Sequence, residues 1–540
     1  MRPARLVLPA LLLTACAARP ADLLPPDRPV PEVIDHYVDA KLKTAGVVPA
    51  APADDYTLVR RLTLDLVGRI PTPAESKAYV ESTDPQKREK LVDRLMASPA
   101  FVRHQANQFE AMLAGPNGRG NSGGLREYLL KAVAENRPWD QVFRELVVAN
   151  ESDAKTKGAS EFVKTRVADL DRLTTDVSAL FFGVNVSCAQ CHDHPLVSDW
   201  KQDHFYGMKA FFARTFDNGG FLAEREYGPV KFKPTHGPER QAKMMFLTGT
   251  MIDAPGMKDP SKDEEKKDRE KFELAKKEKK APAPPAFSAR AKLAEVALQP
   301  KESEFFARSI VNRLWHRFLG YGLVMPLDQM HSENRPSHPD LLAWLARDMA
   351  DHKYDLRRQI RGIVLSRTYS RSSKWTSAAP PSPALFAVGR LKPLTPMQLA
   401  TSLKIATVDP KTFEAAKPDE VEKRIEGLEN SARGFSSLFA QPTDDFQIGV
   451  NEALLFSNSD KVAREFLADG NDKLLGRVKT VPDHEKAVDL IVRSVLCRPP
   501  TADEQKTLQE YLARRSDRPA EAYRQVIWAL ISGAEFRFNY

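Results

Sequence analysis

Tyr56-Thr57-Leu58-Val59-Arg60-Arg61-Leu62-Thr63-Leu64-Asp65-Leu66-Val67-Gly68, followed closely by Thr72-Pro73-Ala74-Glu75, reads as the end of one helix and the start of another. Leu58, Leu62, Leu64 and Leu66 supply apolar positions, and Gly68 follows the last of them. The Thr72 hydroxyl can accept a backbone N–H, Pro73 suits the first helical position, and Glu75 can reach back to close a capping box. Working outward, Ile34, Tyr37, Val38 and Leu42 keep helical spacing from Glu32 onward. On the other side, Leu91, Leu95 and Met96 belong to a helix stopping near Ser98-Pro99. Further helices are predicted over Phe101–Leu113, Leu125–Ala134, Trp139–Val148 and Ala168–Phe182. Gly115 to Gly124 is glycine-rich but lacks the Lys-Ser/Thr ending of a phosphate loop, so it reads as a surface connection.

The pattern changes between Tyr227 and Ile252, where Val230-Lys-Phe-Lys and Met244-Met-Phe-Leu-Thr-Gly-Thr predict a few short strands. Residues 258–285 mix Lys with Asp and Glu and end in Ala-Pro-Ala-Pro-Pro, as a linker or a solvated helix would. Helical signals return at Phe305, Ile310, Val311 and Leu314, and at Pro339 through Trp344 to Met349. Thr395-Pro396-Met397-Gln398 and Thr501-Ala502-Asp503-Glu504 repeat the capping grammar. No tandem repeat of fixed period is present. The predicted fold is mainly α: helical domains over 31–215 and 289–540, joined by a small β or irregular insert (216–257) and a charged linker (258–288).

A chain of 540 residues, 42% hydrophobic and 28% charged, can build an ordinary core without disulfides or metals. Its net charge of +8 is spread over 80 basic and 72 acidic residues, with no basic stripe interleaved with aromatics, so nucleic acid is not an expected partner. At the N-terminus, Arg2 and Arg5 precede an apolar run from Leu6 to Leu13, and then come Thr14-Ala15-Cys16. The run is far shorter than the roughly 20 residues a membrane span needs. It reads as a lipoprotein signal (1–16) with Cys16 as the lipidated residue, followed by a Pro- and Ala-rich tether (17–30). A plain secretory signal with an incidental cysteine is the alternative. On the first reading the protein is exported, faces the periplasm and meets the membrane through lipid on Cys16. Ala17, where inner-membrane lipoproteins typically carry Asp, leans the anchor toward the outer membrane.

Four cysteines are present: Cys16, Cys188, Cys191 and Cys497. Cys497 follows the apolar run from Ile491 to Leu496 and is expected to be a buried free thiol. Cys188-Ala-Gln-Cys191-His192 is the sharpest motif. Two thiols at this spacing can each add to a haem vinyl group, and the next residue then offers an imidazole to the iron. Met208 and His204 are the candidate distal ligands; Met208 also suits an aromatic core helix in Phe205-Tyr-Gly-Met-Lys-Ala-Phe211-Phe212. Zinc is the alternative cofactor, held by Cys188, Cys191 and two of His192, His194 and His204. A redox or structural disulfide is a third reading of the cysteine pair. His316, His331, His338 and His352 cluster in sequence without metal-ligand spacing, and Asn312, Arg313 and Trp315 read as buried polar and packing residues. No catalytic constellation is recognisable, so enzymatic activity is left open.

These residues resemble a known pair of domains. Ile34-Asp-His-Tyr-Val38, Arg60 to Gly68, Pro71-Thr-Pro73, Phe182-Gly-Val184, Cys188 to Pro195 and Phe205 to Phe212 resemble the planctomycete cytochrome-C-like domain of PSCyt type. Val311-Asn-Arg-Leu-Trp315, Gly320 to Val324, Pro336 to Pro339, Ser366 to Tyr369, Leu394 to Gln398 and the ending Ile527 to Phe536 resemble its PSD-type partner. The resemblance implies cytochrome-like features at Cys188, Cys191 and His192. Many relatives carry a separate N-terminal cytochrome c domain, whereas this chain has one Cys-x-x-Cys-His only. The functional expectation is an envelope protein with one covalent haem c and a redox protein partner. The alternative is a scaffold that binds an envelope partner, with zinc or a disulfide at the Cys/His cluster.

Overall fold

The helix Asp55–Val67 lies where two cores meet, and every residue from Leu58 to Val67 on it is buried. Leu62 and Leu66 enter a large core that also holds Val33, Phe181, Trp315 and Leu345. Leu64, on another face, enters a second core with Leu399, Val492 and Ile527. A helix buried on all sides must still satisfy its polar side chains, since an unpaired buried polar group costs free energy. Arg60 donates Nη2 to the Phe536 carbonyl at 3.1 Å, and Arg61 donates to the Tyr369, Arg371 and Tyr540 carbonyls at 2.5, 3.0 and 3.0 Å. The last residues of the chain are thereby fastened to one of its first helices.

The computed structural model describes residues 23–540 except 115–122, 149–150, 152, 257, 378, 415–416, 443–453, 455 and 457–458. Cys16, the signal, the first part of the tether (17–22) and most of the glycine-rich loop lie outside the described residues. The described chain is mainly helical, as predicted, with only short antiparallel two-stranded pairs. Helices form at Val30–Ala45, Asp55–Val67, Lys87–Ala97, Pro99–Ala114, Gly123–Ala134, Trp139–Val148 and Leu170–Phe182. The capping boxes at Thr72, Thr395 and Thr501 are all present. Strand pairs begin at Thr215–Asp217 with Leu222–Glu224, earlier than the apolar pattern indicated, and continue through Met244–Met245 with Met251–Ile252.

The charged segment contains a helix, Lys262–Lys277, capped by Ser261 and Glu264. Phe272 is its one buried residue, and it packs edge-on against Phe216 at 4.9 Å. That contact ties a solvated helix to the strand-bearing region. The large core contains Val33 and Phe182 from before this segment and Trp315 and Ala387 from after it, so packing continues across it. No helix among the described residues is long and apolar enough to cross a membrane.

Candidate functional site

Helix Leu170–Phe182 ends at Gly183, whose φ is +68°. An added Cβ there would sit 2.8 Å from Met330 Sδ, so both the conformation and the close approach require glycine. Arg313 donates Nη2 to the Ala179 carbonyl at 2.6 Å and Nε to the Leu180 carbonyl at 3.0 Å. A cation suits the negative end of a helix dipole, and here it joins the Gly183 N–H on the Ala179 carbonyl and the Ser309 hydroxyl on the Leu180 carbonyl. Burial pulls the Arg313 guanidinium down to about 10, with Asp328 opposing it. Beyond the glycine, Met330 N–H donates to the Gly183 carbonyl at 2.9 Å, and Asn185 donates to the Asp328 carbonyl at 2.7 Å and to its carboxylate at 3.1 Å. The approach to the cysteine motif is therefore fixed by residues 313–330.

The motif itself occupies a 3-10 turn, Ser187–Gln190, running into Cys191. Cys188 and Cys191 are both free and exposed. Gln190 ties the turn down, donating to Asp171 at 2.8 Å while its carbonyl accepts from Tyr206 at 3.1 Å.

Three histidines surround the turn, and their hydrogen bonds distinguish them. His192 Nδ1 lies 2.8 Å from the Asp193 carbonyl. A carbonyl only accepts, so Nδ1 carries the proton and the neutral ring keeps its lone pair on Nε2. His194 is the opposite: its Nδ1 accepts from the Leu196 and Val197 N–H groups at 3.2 and 3.1 Å. His204 Nδ1 likewise accepts from Lys201 N–H at 3.1 Å, and its ring meets Trp200 edge-on. In these two rings the neutral proton sits on Nε2, which therefore has no lone pair for a metal. Burial lowers the His204 pKa, which favours that neutral form. Among the described residues, no group of three or more His, Cys, Asp or Glu side chains is placed to hold a metal ion.

Met208 is fully buried within the large core, beside Gly207, whose absent Cβ makes room for Met245. One neighbour was not legible in the sequence. His331 lies beside Asp199 and His194, and burial is the main influence lowering its pKa. Asp199 holds the backbone and hydroxyl of Ser332 at 2.8 Å each. Only the fold joins these segments; their spacing carries no signal.

Residues 33–217 match the family PSCyt2, described as a protein of unknown function (DUF1549). Residues 289–439 match PSD1, described as a protein of unknown function (DUF1553). The chain carries a PSCyt-type domain followed by a PSD-type domain. No curated protein and no solved structure matches it. The PSCyt-type domain holds the whole Cys-x-x-Cys-His motif, while the PSD-type domain supplies Arg313, Asp328, Met330 and His331 around it. The two domains thus build the surroundings of the motif together.

The donor set fits haem attachment on its proximal side. One exposed free thiol lies in the 3-10 turn and the other directly after it, and the following histidine keeps its Nε2 lone pair. It fits a four-ligand zinc site poorly, because that site needs a second imidazole donor and both candidates use Nδ1 for backbone N–H groups.

Proposed function

We propose that this is an exported, lipid-anchored cytochrome-like protein carrying one haem c on Cys188 and Cys191. The observation that carries this reading is the tautomer of His192. It alone of the three neighbouring histidines keeps an Nε2 lone pair, and it directly follows the second cysteine. Haem, once attached, supplies one-electron redox chemistry. The exposure of Cys188, Cys191, His192 and Leu196, the last at 83%, suits electron exchange with a protein partner in the cell envelope. Lipid on Cys16 holds the chain to the membrane. His204 serves as distal ligand only if it releases the Lys201 N–H, and Met208 only if it leaves the core.

The deciding experiment is a pyridine haemochrome spectrum with metal analysis on protein from cells able to mature c-type cytochromes. One c-type haem per chain, lost in C188A/C191A, is the expected result. Colourless protein from such cells overturns it. Palmitate labelling that disappears in C16S tests the anchor.

A second reading rests on the closure of the loop by its own bonds. Asp193 accepts from Gln202 N–H at 2.9 Å, and His194 accepts two further N–H groups. A scaffold that uses the loop only to bind a partner needs nothing more. Colourless protein whose C188A/C191A variant unfolds at the wild-type temperature supports it.

A further inference from the structure

A cleft of about 490 Å³ opens where the two domains meet, away from the cysteine motif. Asp65 and His104 come to it from the PSCyt-type side, and Arg317, Arg390 and Lys392 from the other. One of these cations is already neutralised. Lys392 Nζ lies 2.7 and 2.8 Å from the two Asp65 oxygens, and it donates as well to the Phe318 carbonyl at 2.9 Å. Asp65 also accepts from Tyr369 and Asn539 at 2.8 Å each. Its acceptor capacity is spent.

The two arginines are not neutralised. Among the described residues Arg317 has one side-chain hydrogen bond, to the Gln105 amide oxygen, and its guanidinium lies 5.7 and 4.8 Å from the ring centres of Phe109 and Phe318. No carboxylate pairs with it among the described residues. Burial pulls its pKa down to about 10, against the distant pull of Asp65. A guanidinium inside protein without an acid is a costly arrangement that an incoming anion relieves. Arg390 stands at the mouth over Tyr321, again with no ion pair among the described residues. Its stem packs on Gly320, one helical turn from Arg317, since an added Cβ at Gly320 would lie 3.1 Å from Arg390 Cβ. The volume is that of a small-ligand site, and Leu391, 56% exposed, and Phe538 give it an apolar wall. His104 is held neutral by burial and adds no charge.

We propose that this cleft binds an organic anion of metabolite size, its carboxylate or phosphate seated on Arg317 and Arg390 and its apolar body against Leu391. Planar guanidinium groups suit either anion, and their pairing here leaves the choice to the ligand. The inference does not depend on haem at Cys188 and Cys191.

Calorimetric titration of the full mature chain tests it, with benzoate, phenyl phosphate, inorganic phosphate and benzyl alcohol as probes. At least one of the two aromatic anions should bind, and which one identifies the head group. Benzyl alcohol, with a comparable body and no charge, should not bind. R390A and R317Q should each weaken binding by about tenfold or more. Arg390 is exposed, so R390A reports even if R317Q fails to fold. Failure of both aromatic anions at about 10 mM, equal binding of benzyl alcohol, or unchanged affinity in R390A overturns the proposal. Inorganic phosphate binding as tightly as phenyl phosphate also overturns it, because the apolar wall would then contribute nothing.

Discussion

Lys392 grips both carboxylate oxygens of Asp65, at 2.7 and 2.8 Å, and so joins the two domains through a buried ion pair. Neither partner can leave without stranding the other. Burial lowers the Lys392 pKa, and the Asp65 charge opposes it. D65N and K392M should each lose about 3–5 kcal/mol of stability, because one uncompensated buried charge remains. The double variant should lose less than the sum of the two. Urea unfolding of the three variants checks this through the coupling energy of the cycle.

Acid should weaken the fold earlier than carboxylate protonation alone would. Burial, with help from Arg317, brings His104 down to about 3, and burial with Lys41 brings His338 down to about 4, both from 6.5. The folded state resists protons that the unfolded chain takes up below 6.5. Stability is therefore fully present above that pH and declines as pH falls toward the folded values, by about 1.4 kcal/mol per unit per histidine. Glu75 adds a lower window. Burial alone would raise its pKa, but the Arg69 pair outweighs it and brings it from 4.5 to about 2, so its contribution fades only over that range. Urea midpoints between pH 7.5 and 5 should fall in the wild type and fall less steeply in H104Q.

Local rules made much of the fold legible. A threonine followed three residues later by Glu or Gln predicted the helix starts at Thr72, Thr395 and Thr501, since all atoms of a capping box lie within one turn. The cysteine motif was legible for the same reason. Helical periodicity showed that Tyr56–Gly68 is a helix, but not that both of its faces are buried, nor that Asp65 would meet Lys392, Tyr369 and Asn539. For Met208 the sequence allowed a ligand or a core residue, and the structure places it in the core. The tautomers of His192, His194 and His204 depend on which backbone group each ring meets, which no spacing rule encodes.

Gly68 should tolerate no side chain. Its φ is +75°, and a Cβ there would collide with the His104 ring. Left-handed strain and overpacking together predict a loss of about 2–4 kcal/mol for G68A. Thermal unfolding measures it. H104A in the same background should recover the steric part and leave the backbone part, whereas no recovery would show that His104 is not the obstacle.

The thiols should divide sharply by reactivity. In protein made without haem attachment and carrying C16S, Cys188 and Cys191 are exposed, whereas Cys497 is buried and its pKa is raised by burial despite Arg60 at 3.5 Å. A thiol reagent needs both access and thiolate. Two thiols per chain should react in the native state, and the third only on unfolding. Reaction of all three at one rate would contradict the packing at Cys497.

Arg313 should control the order of the cysteine loop from the other domain. Its bonds to Ala179 and Leu180 fasten the helix end from which the loop departs, and Asn185 and Gly183 pair with residues 328–330 immediately afterwards. R313M removes the cap and keeps much of the apolar stem. The loss of hydrogen bonds to a charged donor should lower protection of the amides over 183–192 by about tenfold or more, with little change in remote helices. Hydrogen exchange read by mass spectrometry resolves the two regions. Uniform loosening would mean that Arg313 supports the core generally. Confined loosening would show that the PSD-type domain holds the motif's loop in order, and on the proposed haem c reading a lower yield of attached haem should accompany it.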